Sequence, residues 1–345
     1  LTAVVLLNGL ALISMQFFSI QASWFYPMLF LTSNIAERGF LTVMWVLAED
    51  MCTTRQAKRI LPVLIGCYTL GSILTGFFIN HINSGTGGIS PEWIYFIWPC
   101  MMVVAGKAWW QVVVRYIQPM NALAENEQIS DMLSSVRTIH KSAFLRVALV
   151  VMVLLYGVAF LMEYELTTVS KSIYSNEEEL TAFWGLFLAI YYTSGLVVGG
   201  FCLGPLLEKL GIGNVVIMIA GLSVLAFSQL TLLIASPWTL TAVFIGGVMM
   251  YIVMYTIADP TYQLFFKTIP TSQRTGVRLV FGGALFAGGK LLCSAVASVH
   301  SLGFINLTGL SMLGLILTVY MLVLAIKQKR LYSAQLINNV RDRFI

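Results

Sequence analysis

The stretch Arg146–Glu165 reads RVALVVMVLLYGVAFLMEYE: a base, sixteen uncharged residues in a row, then two acids within three positions. At 1.5 Å of rise per residue, about twenty such residues form a helix long enough to cross ~30 Å of hydrocarbon. Barrel strands would alternate apolar and polar residues, and this run does not. Nine more runs of the same kind lie outward from it, at 1–20, 24–48, 60–80, 93–114, 180–203, 213–235, 238–257, 278–299 and 304–326, which with 146–164 makes ten expected spans. Of the 345 residues, 58% are hydrophobic and 10% charged, against about 25% charged in an ordinary soluble domain. The surface of a soluble enzyme or a disordered chain cannot be built from so few charges. The expected class is all-α and polytopic in a membrane.

Basic residues mark the cytoplasmic ends of spans, because Lys and Arg are retained in short inner loops. Sixteen of the 20 fall in alternate connections: Arg55, Lys58 and Arg59; Arg115, Arg137, Lys141 and Arg146; Lys209; Lys267, Arg274 and Arg278; and the tail with Lys327, Lys329, Arg330, Arg341 and Arg343. The opposite connections hold only Lys171, and Arg38, Lys107 and Lys290 lie within spans. The segment 117–145 and the C-terminus are therefore expected inside. That segment is polar and leaves four spans before it and six after. Two six-helix halves joined by an inner linker would place two further helices before Leu1, with ten spans of an expected twelve in this chain. The organisation expected is an N-terminal bundle at 1–116 (spans 3 to 6), a cytoplasmic linker at 117–145, a C-terminal six-helix bundle at 146–326 and a cytoplasmic tail at 327–345. Ala48-Glu49-Asp50 before Gly66 and Gly71 is echoed by Ala258-Asp259-Pro260 before Gly283 and Gly288, as a parallel repeat requires.

An ionisable group at the bilayer centre costs at least ~2.5–3.5 kcal/mol, so depth ranks the candidates for a binding site. Lys290 is near the middle of span 11 and follows Gly288-Gly289, where a ligand or neighbour can approach the backbone. It suits a phosphate or carboxylate, or an ion pair with an acid such as Glu37. Glu37 and Arg38 are mid-span but about 100° apart around one helix, so both cannot face one point. Lys107 lies nearer an inner end, where its head can reach the interface. Glu163 and Glu165 stand at the outer end of span 7 and point to different faces, so one at most looks inward. Asn176 followed by Glu177-Glu178-Glu179 reads as a helix cap with an acidic first turn. Histidines 81, 140 and 300 are isolated in loops and linker, and the five cysteines have no metal-ligand spacing. No metal, cofactor, catalytic triad or nucleic-acid partner is expected, and an enzyme is the least favoured reading.

Gly204-Pro205-Leu206-Leu207-Glu208-Lys209-Leu210-Gly211 resembles the GxxxD(R/K)xG inner loop of the major facilitator superfamily, with Glu208 in place of Asp; an ordinary basic turn is the alternative. Several segments also resemble one family, the nucleotide translocases (ATP/ADP antiporters) of plastids and intracellular bacteria and their bacterial relatives. They are Ala36-Glu37 with Met44-Trp45-Val46-Leu47-Ala48; Gln56-Ala57-Lys58-Arg59 with Pro62 and Gly66; Tyr156-Gly157 with Glu163, Asn176-Glu177 and Ala182-Phe183; and Gly289-Lys290. The resemblance implies a major-facilitator-like two-bundle fold and a monomer exchanging ATP and ADP or another phosphorylated anion, in a bacterial inner membrane. It maps the family's substrate-contacting glutamates to Glu37 and Glu163 and a substrate lysine to Lys290. Proton-coupled transport of another metabolite or drug, and a non-transporting scaffold or sensor, are the alternatives.

Overall fold

The computed structural model describes residues 54–81, 92–112, 114–115, 132–266, 269 and 271–344. The chain divides into two compact units, one of residues 1–71 with 78–127 and the other of 72–77 with 128–345. The described residues hold α-helix, wide π turns and short connections, with no strand among them. Helices α1 (Thr54–His81) and α2 (Glu92–Val112) come first, followed by the short α3 (Met132–Lys141). Six helices long and apolar enough to cross a membrane follow: α4 (Ala143–Ile173), α5 (Glu177–Leu210), α6 (Ile212–Leu233), α7 (Thr239–Phe265), α8 (Thr271–Ser301) and α9 (Leu307–Phe344). They mark an integral membrane protein. Spans 1–20 and 24–48 lie outside the described residues.

Local chemistry sets the helix ends. The Ser142 side chain accepts from the Leu145 amide at the start of α4, and Asn176 does the same for the Glu178 amide at the start of α5. Asn306 Oδ1 accepts from the Gly309 amide at 2.8 Å where α9 begins. Gly211, at φ +73°, adopts the left-handed conformation that ends α5, and Asn214 Nδ2 donates to the Leu210 carbonyl at 2.8 Å across the turn.

Two helices run further than their apolar stretches predict. Span 7 is expected to stop at 164, yet α4 continues to Ile173, so Thr167–Lys171 is helical and Glu163 and Glu165 are ten and eight residues inside. Span 10 is expected to stop at 257, yet α7 continues through Asp259 and Pro260 to Phe265. In both cases an acid that reads as a span end is accommodated by a partner from a distant helix. Past residue 326, α9 continues unbroken; Gln328 is fully buried and Tyr332 packs against Phe144 and Phe265.

Within the second unit α4 is the central helix, buried around most of its circumference, as an apolar helix without a polar face must be. Residues that meet across α4 and α8 rise together in number (Val153 with Gly288, Tyr156 with Gly289, Phe160 with Lys290, Tyr164 with His300), so these two helices run parallel. Against α4, α7 and α9 run antiparallel: Tyr156 meets Asp259 while Met162 meets Gly246, and Phe144 meets Tyr332 while Glu165 meets Ser311. Outward-facing Leu225, Leu232, Leu291, Ile316 and Val323 are well exposed, which suits lipid and would be an aggregation hazard in water.

Candidate functional site

Glycine sets the closest approach in the second unit. A Cβ on Gly289 would stand 2.6 Å from the Tyr156 Cβ and 3.0 Å from the Gly157 amide nitrogen, and one on Gly157 would meet Leu292 Cδ2 at 2.5 Å. The backbones of α4 and α8 therefore touch at Gly157 and Gly289, the small-residue contact that lets membrane helices pack tightly. Lys290 follows at once. It is 12 residues from Arg278 and 11 from Ser301, roughly 16–18 Å from either end of its apolar stretch, and its Nζ lies 4.9 Å from the centre of the Phe160 ring. A cation over an aromatic face gains ~0.5–2 kcal/mol, more as water is excluded.

One face of α4 carries the residues around this point, since Tyr156, Phe160 and Glu163 are spaced by four and three. The Tyr156 hydroxyl donates to Asp259 Oδ1 at 2.9 Å, which ties α4 to α7. Three to four residues beyond Phe160, the Tyr251 hydroxyl of α7 lies close to the Glu163 side chain, and the Tyr164 hydroxyl meets His300 Nδ1 of α8 at 3.1 Å. Glu163 and Lys290 both lie near enough to the Cys293 thiol to act on it electrostatically. Tyr251 belongs to an aromatic wall: its ring centre is 5.1 Å from Tyr191, 5.6 Å from Tyr255 and 5.7 Å from Phe187.

The wall stands where α5 and α7 are each widened by a π turn, at Val198–Cys202 and Ile252–Ala258. Thr256 on the second turn packs toward Gly195 and Gly199 of α5, where added Cβ atoms would lie 3.0 and 3.1 Å from its side chain. Wide turns inside α-helices recur at functional sites.

Glu165 points elsewhere. It is fully buried, Oε2 accepts from Ser311 Oγ of α9 at 3.2 Å, and Oε1 has no hydrogen-bond partner among the described residues. The two acids thus separate as their spacing predicts, Glu163 toward α7 and Glu165 toward α9.

Of the residues expected to form the site, the structure brings Lys290 and Glu163 into one neighbourhood. Glu37 and Arg38 lie outside the described residues. Lys107 is exposed on α2, in the first unit, beside the buried Gly106. Glu208 and Lys209 are exposed in the last turn of α5, Gly204 is in its final segment and Gly211 ends it; at the following turn Gly213 packs on the Lys329 side chain of α9. Asp259, Tyr156, Tyr251 and Ser311 go unlisted as site residues by sequence reasoning. Asp259 carries a signal that could have found it, an acid beside a long apolar run. His81, His140 and His300 all sit at helix ends rather than in loops, and His300 has a specific partner in Tyr164. No family model matches the chain, and no curated protein matches it.

Proposed function

We propose that the protein is a secondary carrier that exchanges a phosphorylated anion of the nucleotide type across a membrane by alternating access between two helix bundles. The observation that carries this reading is Lys290 in the middle of an apolar span, laid over Phe160 beside the Gly157–Gly289 crossing and close to the acid Glu163. A cation at this depth is costly and is retained where it meets a counter-charge, and a phosphate supplies one. Glu163, beside Tyr251, balances the lysine when no substrate is bound, and the tyrosines and Phe160 offer faces for a planar ring. Exchange follows if substrate lowers the energy of reorientation more than it lowers that of the outward or inward state, since only a differential interaction shifts such an equilibrium. The basic loops face the cytoplasm of a bacterial inner membrane in this reading, and the carrier works as a monomer.

The test is uptake of labelled ATP or ADP into vesicles holding the full-length protein, with and without internal nucleotide. Flux that needs internal nucleotide and falls at least ~10-fold in Lys290→Ala, with Lys290→Arg retaining part of it, is the expected result. Absence of flux under either loading sinks the nucleotide assignment. The fully buried Glu165, with one hydroxyl donor, favours a second reading, proton-coupled movement of another metabolite. Collapse of uptake by an uncoupler, with no need for internal substrate, would select it.

A further inference from the structure

The basic end of the second unit carries a groove unrelated to the mid-membrane charges. Its volume is about 560 Å³, and it lies between the junction of α3 with α4 and the extension of α9, lined by Thr138, Lys141, Phe144, Leu331, Ala334 and Gln335 among others. The lining is divided by chemistry. Phe144 and Leu331 give an apolar wall, with Phe144 fixed by its packing on Tyr332 and Phe265. Lys141 contributes an exposed cation and Thr138 a hydroxyl. More cations border it, because on α9 Lys327 precedes Leu331 by four residues and Arg330 precedes Ala334 by four, which puts both one turn along the face that lines the groove. Both are exposed, as is Arg146 one turn into α4.

The groove also lies at the membrane surface. Ala143 starts the apolar span of α4 and Ile326 is the last residue of the apolar run of α9, so the lining residues stand at the ends of two spans or up to about 14 Å beyond them, where hydrocarbon gives way to headgroups and water. The amphipathic α3 leads into it, with Ile139 buried, Val136 exposed, and Arg137, His140 and Lys141 toward its end. A short basic amphipathic helix lies in the interfacial plane, and basic pockets between span ends suit lipid headgroups. We infer that this groove binds the headgroup of an acidic phospholipid, its phosphate held by Lys141 with Lys327 and Arg330 and its glycerol carbons lying against Phe144 and Leu331. The inference does not depend on what the protein transports.

The experiment uses the purified full-length protein in detergent. Native mass spectrometry measures retention of phosphatidylglycerol and of phosphatidylcholine, and a melting curve is recorded with each lipid. Phosphatidylglycerol is expected to be retained and to raise the melting temperature, phosphatidylcholine to do neither, and the effect to shrink as salt is raised. Each cation removed, as in Lys141→Gln or Arg330→Gln, should weaken binding about fivefold. Ala334→Trp fills the groove without altering charge and should abolish retention while leaving the helix content unchanged. Equal retention of the two lipids, or unchanged retention in both Lys141→Gln and Ala334→Trp, overturns the inference. Inorganic phosphate is titrated in parallel: if it displaces the lipid at micromolar concentration, the site belongs to a free anion and the lipid assignment is wrong.

Discussion

Replacing Gly289 by alanine tests the α4–α8 crossing directly. The added Cβ would lie 2.6 Å from Tyr156 Cβ and 3.0 Å from the Gly157 nitrogen, whereas ordinary contact begins near 3.4 Å, so the helices must part by about 0.8 Å. The opposing atoms are backbone or bound directly to it, and no rotamer change relieves them. Overpacking of this kind costs ~1–3 kcal/mol, and the better helix propensity of alanine returns up to ~1 kcal/mol. The net expectation is a loss of about 1–2 kcal/mol, or roughly 2–8 °C in melting temperature for a unit of this size. Gly283→Ala is the internal control: it lies on the same helix with nothing within 4 Å of its added Cβ, so only the propensity gain applies. Both variants are purified in the same detergent and melted by circular dichroism. If Gly289→Ala melts at or above Gly283→Ala, the backbones do not meet as described, and the packing argument for the position of Lys290 fails with it.

Two further outcomes follow from the same structure. Tyr262→Phe removes the hydroxyl that donates to Gln328 Oε1 at 3.1 Å in a fully buried pair; leaving that oxygen unsatisfied should cost ~1–3 kcal/mol, read as a lower denaturant midpoint, and adding Gln328→Leu should recover most of it. Asn176→Ala deletes the cap at the start of α5 and should cost ~1 kcal/mol, detected as faster amide exchange over Glu178 and Glu179 with the rest of α5 unchanged.

What the sequence reveals of this molecule is its apolar content and its local chemistry. The six runs from residue 146 onward each fall in one long helix, the Asn176 cap and its acidic first turn are present, and Lys290 lies in the middle of its span. The expected helix ends fall short at Glu163 and at Asp259 for one reason. An acid beside an apolar run reads as a boundary until its partner is known, and the partners here stand far away in sequence: Ser311 is 146 residues from Glu165, and Asp259 is 103 from Tyr156. The glycine crossing is only half legible in the sequence. Gly288-Gly289 announces a close approach, but that it is Gly157 which receives it depends on which helices run parallel, and no local pattern encodes that.

The separation of Glu165 from Ser311 also bears on how the protein is made. Synthesis at ~5–20 residues per second places α4 in the membrane some 7–30 s before Ser311 leaves the ribosome. Through that interval α4 has to hold two carboxyl groups with no help from α7 or α9. Ten Val, Leu and Phe residues in Val147–Met162, at about −0.3 to −0.6 kcal/mol each, supply roughly 3–6 kcal/mol toward insertion, the same order as two acids lying off-centre. The unbroken apolar stretch is therefore as much a provision for biogenesis as for the finished core, and trimming it to alanines should first appear as failed translocation of α4, before any defect in the assembled protein.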